Sequence, residues 1–167
     1  MQVPRRKGDA RLNQKVDPYL TAGKYQELVA KLERMRSSRP RLAEEVKRLA
    51  EMGDFSENAG YQLAKGRLRG LNQRILDLEN HLKVAVIIEA NPGAETVQIG
   101  SRVTVEKDGK EKIYTILGST ETNPTNSVIS YSSPLGAALM GRKKGDKIKL
   151  NLGGQEREYQ ILKVEVV

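Results

Sequence analysis

At 167 residues, with no cysteine and only 4% aromatic residues, the chain can build one or two small aliphatic cores but no disulfide scaffold and no thiolate site. Its net charge of +8 is uneven: residues 1–82 carry 17 Lys and Arg against 11 Asp and Glu, residues 83–167 carry 12 against 10. No apolar run approaches the roughly eighteen residues of a membrane span. The basic start MQVPRRKGDARLNQK lacks the apolar stretch of a secretory signal, so a soluble cytoplasmic protein is expected.

Residues 1–18 are polar, basic and broken by Pro4, Gly8 and Pro18, which predicts a disordered basic tail. Thr21 is a candidate N-cap for a first helix, but Lys24 stands where a capping box would place an acid. From Leu28 the apolar residues step by four and three through Leu32, Met35, Leu42, Val46 and Leu49, with Arg39 as the one polar seam position. A second run repeats the rhythm through Tyr61, Ala64, Leu68, Leu71, Ile75, Leu78 and Leu82. Two seams of this spacing are coiled-coil seams. Folded about residue 55 they meet in register, Leu49 against Tyr61, Leu42 against Leu68 and Leu28 against Leu82. Residues 19–83 are therefore predicted to form an antiparallel α-helical coiled-coil hairpin with its tip at 53–58. A hairpin that closes its own seam predicts a monomer. Pro40 predicts a kink in the first arm, or a restart with Ser38 as a local cap. Gly66 and Gly70 fall outside the seam.

Beyond His81 the rhythm changes to short strands. Val84–Ile88, Val97–Val105, Lys112–Leu117, Ser127–Tyr131, Lys147–Leu152 and Glu158–Val166 read as strands or apolar runs, and Asp108-Gly109 as a hairpin turn. Ser133-Pro134 reads as the cap and first turn of a short helix over Leu135–Met140, stopped by Gly141. The expected class is α+β: the hairpin, then a C-terminal domain at 84–167 made of an antiparallel sheet and one short helix.

The stretch GDFSENAGYQ, from Gly53 to Gln62, carries Asp54 and Glu57 at the turn between the arms. Two readings of the acids stand. In the first, Asp54 caps the returning helix, Glu57 completes a box-like arrangement and Gly53 ends the first helix. In the second, the two carboxylates supply oxygen ligands to Mg²⁺, too few to hold it alone on a solvated tip. They become useful when carried to a site that already holds a metal and a phosphodiester.

The run GDFSENAGYQLAKGRLRGLNQRILDLENHL resembles the tip and return helix of the Gre transcript-cleavage factors, and NAGYQ with RLR is closer to the GreB type than to the GreA type. The segments LTAGKYQEL, RPRLAEEV and VISYSSPLGAALMGRKKGD extend the resemblance over residues 20–167. It implies a C-terminal domain similar to the FKBP fold and a partner, bacterial RNA polymerase, whose secondary channel receives the coiled coil. It implies that the factor is not an enzyme by itself but stimulates the polymerase to cleave backtracked RNA. Asp54 and Glu57 match the tip acids that help retain a second Mg²⁺, which the free protein would not bind tightly. Ser56 lies between them, as an orienting group or as a local cap. Phe55 stands where Leu is common, at a position facing the partner. Lys65, Arg67, Arg69 and Arg74 match a basic patch that meets the extruded RNA 3′ end, and Ser133 and Pro134 match a segment used at the channel rim. Gly60 replaces a frequent acid. That departure leaves room for a channel-occupying inhibitor without cleavage activity. A proline isomerase and a polymerase-independent nucleic-acid binder are further alternatives.

Overall fold

The computed structural model describes residues 16–52, 58–89, 91, 93–152 and 154–166. Two long helices come first, α1 over Ala22–Ala50 and α2 over Ala59–Val84. Their seams close on each other as the 3-4 spacing requires: Leu28, Leu32, Leu71, Ile75 and Leu78 are buried together, and Met35, Leu42 and Leu82 pack against them. Burying a leucine contributes about 1.5–3 kcal/mol, so this cluster holds the arms at their root half. Toward the tip Leu42, Val46, Leu49 and Leu68 are only half-buried, and Ala64 is the buried residue there. Cross-arm contacts keep the expected register within a few residues. Arg39 Nε donates to Asn72 Oδ1 at 2.8 Å, and Arg36 bridges to Glu79 at 2.9 Å.

α1 runs through Pro40 without a new cap. Ser38 does not restart the helix: its hydroxyl donates to the Met35 carbonyl at 2.9 Å, as Ser37 does to Arg34 at 3.0 Å. Both serines are spent on the preceding turn. The polar seam residue Arg39 is accommodated because its guanidinium leaves the interface and reaches Asn72 at the exposed edge.

At the root, β1 (Tyr19–Leu20) pairs in parallel with β2 (Val86–Ile87), joining the start of one arm to the end of the other. Asp17 and Pro18, at the end of the stretch read as a tail, belong to this junction: Pro18 accepts Val86 N–H at 2.7 Å and the Asp17 carbonyl lies 3.1 Å from His81 Nε2.

The C-terminal sheet comprises β3 (Ser101–Lys107), β4 (Lys110–Leu117), β5 (Val128–Ser130), β6 (Lys147–Leu152) and β7 (Gln155–Val166), in the order β5-β4-β3-β7-β6. The β3–β4 hairpin turns on Asp108 and Gly109, both left-handed at φ 52° and 72°. The first strand is shorter than its alternation predicts, because Val97 to Gly100 leave the ladder; Val97 is still 1% exposed in the core and hydrogen-bonds to Arg142. The sheet is mixed, since β5 runs parallel to β4. A short helix, α3 (Pro134–Leu139), is capped by Ser133 and buries Leu139 against Val103, Val105, Ile116, Ile148 and Ile161. The α+β class read from the sequence is the class observed.

Candidate functional site

At the end of the hairpin, Asn58 caps α2: its Oδ1 accepts Tyr61 N–H at 2.9 Å. Its Nδ2 donates to the Leu49 carbonyl, in the last turn of α1, at 3.0 Å. One amide therefore bonds a backbone group on each arm and ties the two ends together. This overturns the reading in which Asp54 caps the returning helix, because that helix starts at Ala59 and its cap is Asn58. Gly53, Asp54, Phe55, Ser56 and Glu57 lie outside the described residues. In the chain they fall between the two ends that Asn58 joins.

The first turn of α2 contains no acidic residue. A Cβ built on Gly60 would lie 3.3 Å from Asn58 Oδ1 and 3.8 Å from Leu49 Cδ2, so a side chain there needs a small adjustment of the cap.

The four basic residues singled out on α2 are all exposed, but at 100° per residue they divide between two flanks. Lys65 and Arg69 lie on one side with Asn72, Gln73 and the 49% exposed Leu76, lining a groove of about 350 Å³. Lys65 Nζ also sits 5.4 Å from the Tyr61 ring centroid. Arg67 and Arg74 lie on the other side, where Arg74 Nε donates to the Gly70 carbonyl at 3.1 Å and the side chain borders Lys31, Asp77 and His81. Arg36, near the first flank, is held above the ordinary arginine range by its hydrogen bonds to Glu79 and then Glu33. Among the described residues no group of three or more His, Cys, Asp or Glu gathers to hold a metal.

Ser133 and Pro134 begin α3, and Ser133 Oγ accepts Gly136 N–H at 3.1 Å while donating to the Ser130 carbonyl at 2.7 Å. The hydroxyls of Ser119, Ser130 and Ser132 form a chain beside them, at 2.9 and 2.7 Å. This chain leads to the arm root, where Asp17 Oδ2 accepts Ser119 N–H at 2.6 Å. Tyr131 meets Tyr19 edge to face at 5.5 Å. Burial first, and then the Asp17 charge, push the Tyr131 phenol above its usual range. Sequence patterns single out none of Asp17, Tyr19, Ser119 and Glu121, whose partners are far away in the chain. Asn58 carried a local signal, an Asn just before a helical pattern, that the adjacent acids overshadowed.

The N-terminal domain description of transcription elongation factors matches residues 18–87, and the GreA/GreB C-terminal description matches residues 91–166. Transcription elongation factor GreA of Nautilia profundicola is 39% identical over 145 residues, covering 84% of this chain and 89% of that protein. GreA of Novosphingobium aromaticivorans is 34% identical over 152 residues, covering 90% and 96%. The crystal structure of GreA factor homolog 1 (Gfh1) of Thermus thermophilus aligns with 89% of this chain and 99% of its own, at 29% identity and a TM-score of 0.42. The Nautilia and Novosphingobium relatives carry the GreA name, so they do not support the GreB-like resemblance of NAGYQ and RLR. The chain belongs to the Gre family of transcription elongation factors.

Proposed function

We propose that this protein binds bacterial RNA polymerase, places its helical arm in the secondary channel and stimulates the polymerase to cleave backtracked RNA. The observation that carries the reading is the tip. Two arms of 29 and 26 residues, each about 40 Å long at 1.5 Å per residue, are tied at their ends by Asn58, and beyond Glu51, which closes α1, the acids between those ends are Asp54 and Glu57. Asn58, not either acid, caps α2, so capping of that helix does not account for the two acids. Their donor set suits Mg²⁺, a hard cation that takes oxygen ligands, but two side chains leave most of its shell to other groups. Asp54 and Glu57 would hold the ion jointly with the polymerase and the RNA, not in the free protein. When bound, such an ion polarises a phosphoryl oxygen and lowers the pKa of a coordinated water. The factor's own residues supply charge and orientation, with Ser56 as an orienting group and Phe55 as a contact to the channel.

Because the basic residues divide between two flanks, a single RNA strand lying along the arm meets Lys65 and Arg69, or Arg67 and Arg74, but not all four at once. The groove beside Lys65 and Arg69, with apolar Leu76 to receive a base, favours that flank for the RNA 3′ end; this is the GreB-like element of the reading. Ser133 and Pro134 remain the proposed contact at the channel rim. The factor acts as a cytoplasmic monomer, without catalytic activity of its own.

The test is RNA cleavage in a backtracked polymerase complex. Wild type is expected to release short 3′ fragments, and Asp54→Ala/Glu57→Ala to bind equally well but release none. The absence of an acid from the first turn of α2 supports a second reading, a channel-occupying inhibitor. Binding and suppressed synthesis with no cleavage by wild type would establish that reading instead.

A further inference from the structure

The sequence leaves α1 with half of a capping box: Thr21 Oγ1 accepts Lys24 N–H at 3.1 Å, but Lys24 cannot return a carboxylate to the Thr21 backbone. Glu121, from the C-terminal domain, fills that place. Its Oε1 accepts Thr21 N–H at 2.7 Å and its Oε2 accepts the Thr21 hydroxyl at 2.8 Å. Two residues away, the exchange runs in the opposite direction. Asp17, on the arm side, accepts Ser119 N–H at 2.6 Å and Tyr19 N–H at 3.1 Å.

We propose that Asp17 and Glu121 form a reciprocal clamp that sets the direction of the arm on the C-terminal domain, with Glu121 as the positioning residue for the distant tip. Each carboxylate leaves its own domain to take a backbone N–H from the other. Such charge-assisted bonds are short and directional. The arm core and the sheet core are separate clusters, so no shared buried core fixes the angle between them. The Tyr19–Tyr131 edge contact and the His81 bond to the Asp17 carbonyl complete the joint. Gly118 lets the turn Ser119–Glu121 come this close, since a Cβ at 118 would collide with the Tyr19 carbonyl oxygen.

The length of the arm makes the joint consequential. Over about 40 Å, a tilt of about 5° at the root moves the tip by roughly 3.5 Å, where displacements near 1 Å already cost catalysis heavily. This consequence for cleavage rests on the function proposed above; the clamp itself does not.

The chain has no cysteine, so Glu44→Cys on α1 and Lys110→Cys on the β3–β4 turn, both exposed, give a unique pair of spin labels. Pulsed electron resonance should show one narrow distance distribution in the otherwise wild-type protein and a distribution at least about twofold wider in Glu121→Ala. Helical content and the amide spectrum of the sheet domain should stay unchanged. Thr21→Ser, which keeps the hydroxyl, should keep the narrow distribution. If Glu121→Ala fails to fold, Glu121→Met decides, because it keeps the length and removes both accepting oxygens. An unchanged width in a folded Glu121 variant, or a broad distribution in wild type, overturns the clamp. With polymerase, Glu121→Ala should raise the half-saturating factor concentration about threefold or more at a near-normal maximal rate, the signature of a lost pre-organisation. Failure of wild type to cleave would refute the functional reading and leave the distance experiment valid.

Discussion

Asn58 and Leu49 are joined across the end of the hairpin by a 3.0 Å hydrogen bond from the Asn58 side-chain amide to the Leu49 carbonyl. The same side chain caps α2 through Tyr61 N–H, so the two functions can be separated by mutation. Asn58→Asp keeps an accepting oxygen at the helix start, where negative charge is favourable, but loses the donor to Leu49. It should leave urea stability close to wild type and still lower cleavage, because the arm ends are no longer tied. Asn58→Ala loses both bonds and should cost about 1–2 kcal/mol in the same urea titration. Equal cleavage by wild type and Asn58→Asp would show that the cross-arm bond does not matter to the tip.

Gly60 stands in the first turn of α2, with moderately tight space around its Cα. Gly60→Glu adds helix propensity, worth up to about 1 kcal/mol in a helix interior, and a favourable charge near the N-terminus. The 3.3 Å approach to Asn58 Oδ1 offsets part of that gain. The expected net effect is a melting temperature higher by a few degrees and cleavage equal to or above wild type. A drop in both would mean that the cap cannot yield.

The hairpin depends on its root cluster more than on its surface charges. Leu71 is 5% exposed among Leu28, Leu32, Ile75 and Leu78, so Leu71→Ala should cost about 2–5 kcal/mol. Helical circular dichroism should fall while the sheet domain's amide spectrum persists. Glu79→Gln, which breaks the exposed bridge to Arg36, should leave the midpoint nearly unchanged. A larger loss for Glu79→Gln than for Leu71→Ala would contradict this ordering.

Alkaline pH should weaken the fold through its tyrosines. Burial first, then the neighbouring Tyr159, raises the Tyr114 phenol above its ordinary value, and burial and Asp17 do the same for Tyr131. A raised folded value means that the unfolded chain gives up these protons first. The stability is complete below about pH 10, the ordinary phenol value, and is lost as pH rises through the higher folded values. Urea midpoints measured from pH 8 to 11 should therefore fall more steeply for wild type than for Tyr114→Phe/Tyr131→Phe. Parallel curves would remove tyrosine ionisation as the cause.

Much of the architecture was legible because its signals are local. The stepping of Leu28, Leu32 and Met35 against Leu71, Ile75 and Leu78 needs only helical period and seam complementarity, and it predicted both arms and their register. Asp108-Gly109 and Ser133-Pro134 announced their turn and helix start because each satisfies backbone geometry within four residues. Local signals also competed. Asp54 and Asn58 both precede a helical pattern as candidate caps, and the structure assigns the cap to Asn58, whose neutral amide can donate to Leu49 as well as accept from Tyr61. Ser38 offered a cap at Pro40, but its hydroxyl turned back to the Met35 carbonyl within a continuous helix.

The basic residues of α2 show where periodicity had to be followed further. Lys65, Arg67, Arg69 and Arg74 form a cluster along the chain, but helical rotation sends them to opposite flanks. The sequence by itself determined the two arms, the acids placed between their ends and the sheet domain that follows. All of these rest on interactions between residues close in the chain or on a repeating seam. Only the tertiary structure decided how the arm is mounted. Thr21 caps α1 with a lysine where the box needs an acid, and the missing carboxylate comes from Glu121, a hundred residues away. No local pattern encodes that pairing, because its geometry exists only after both domains have folded and brought the turn Ser119–Glu121 against the start of the arm.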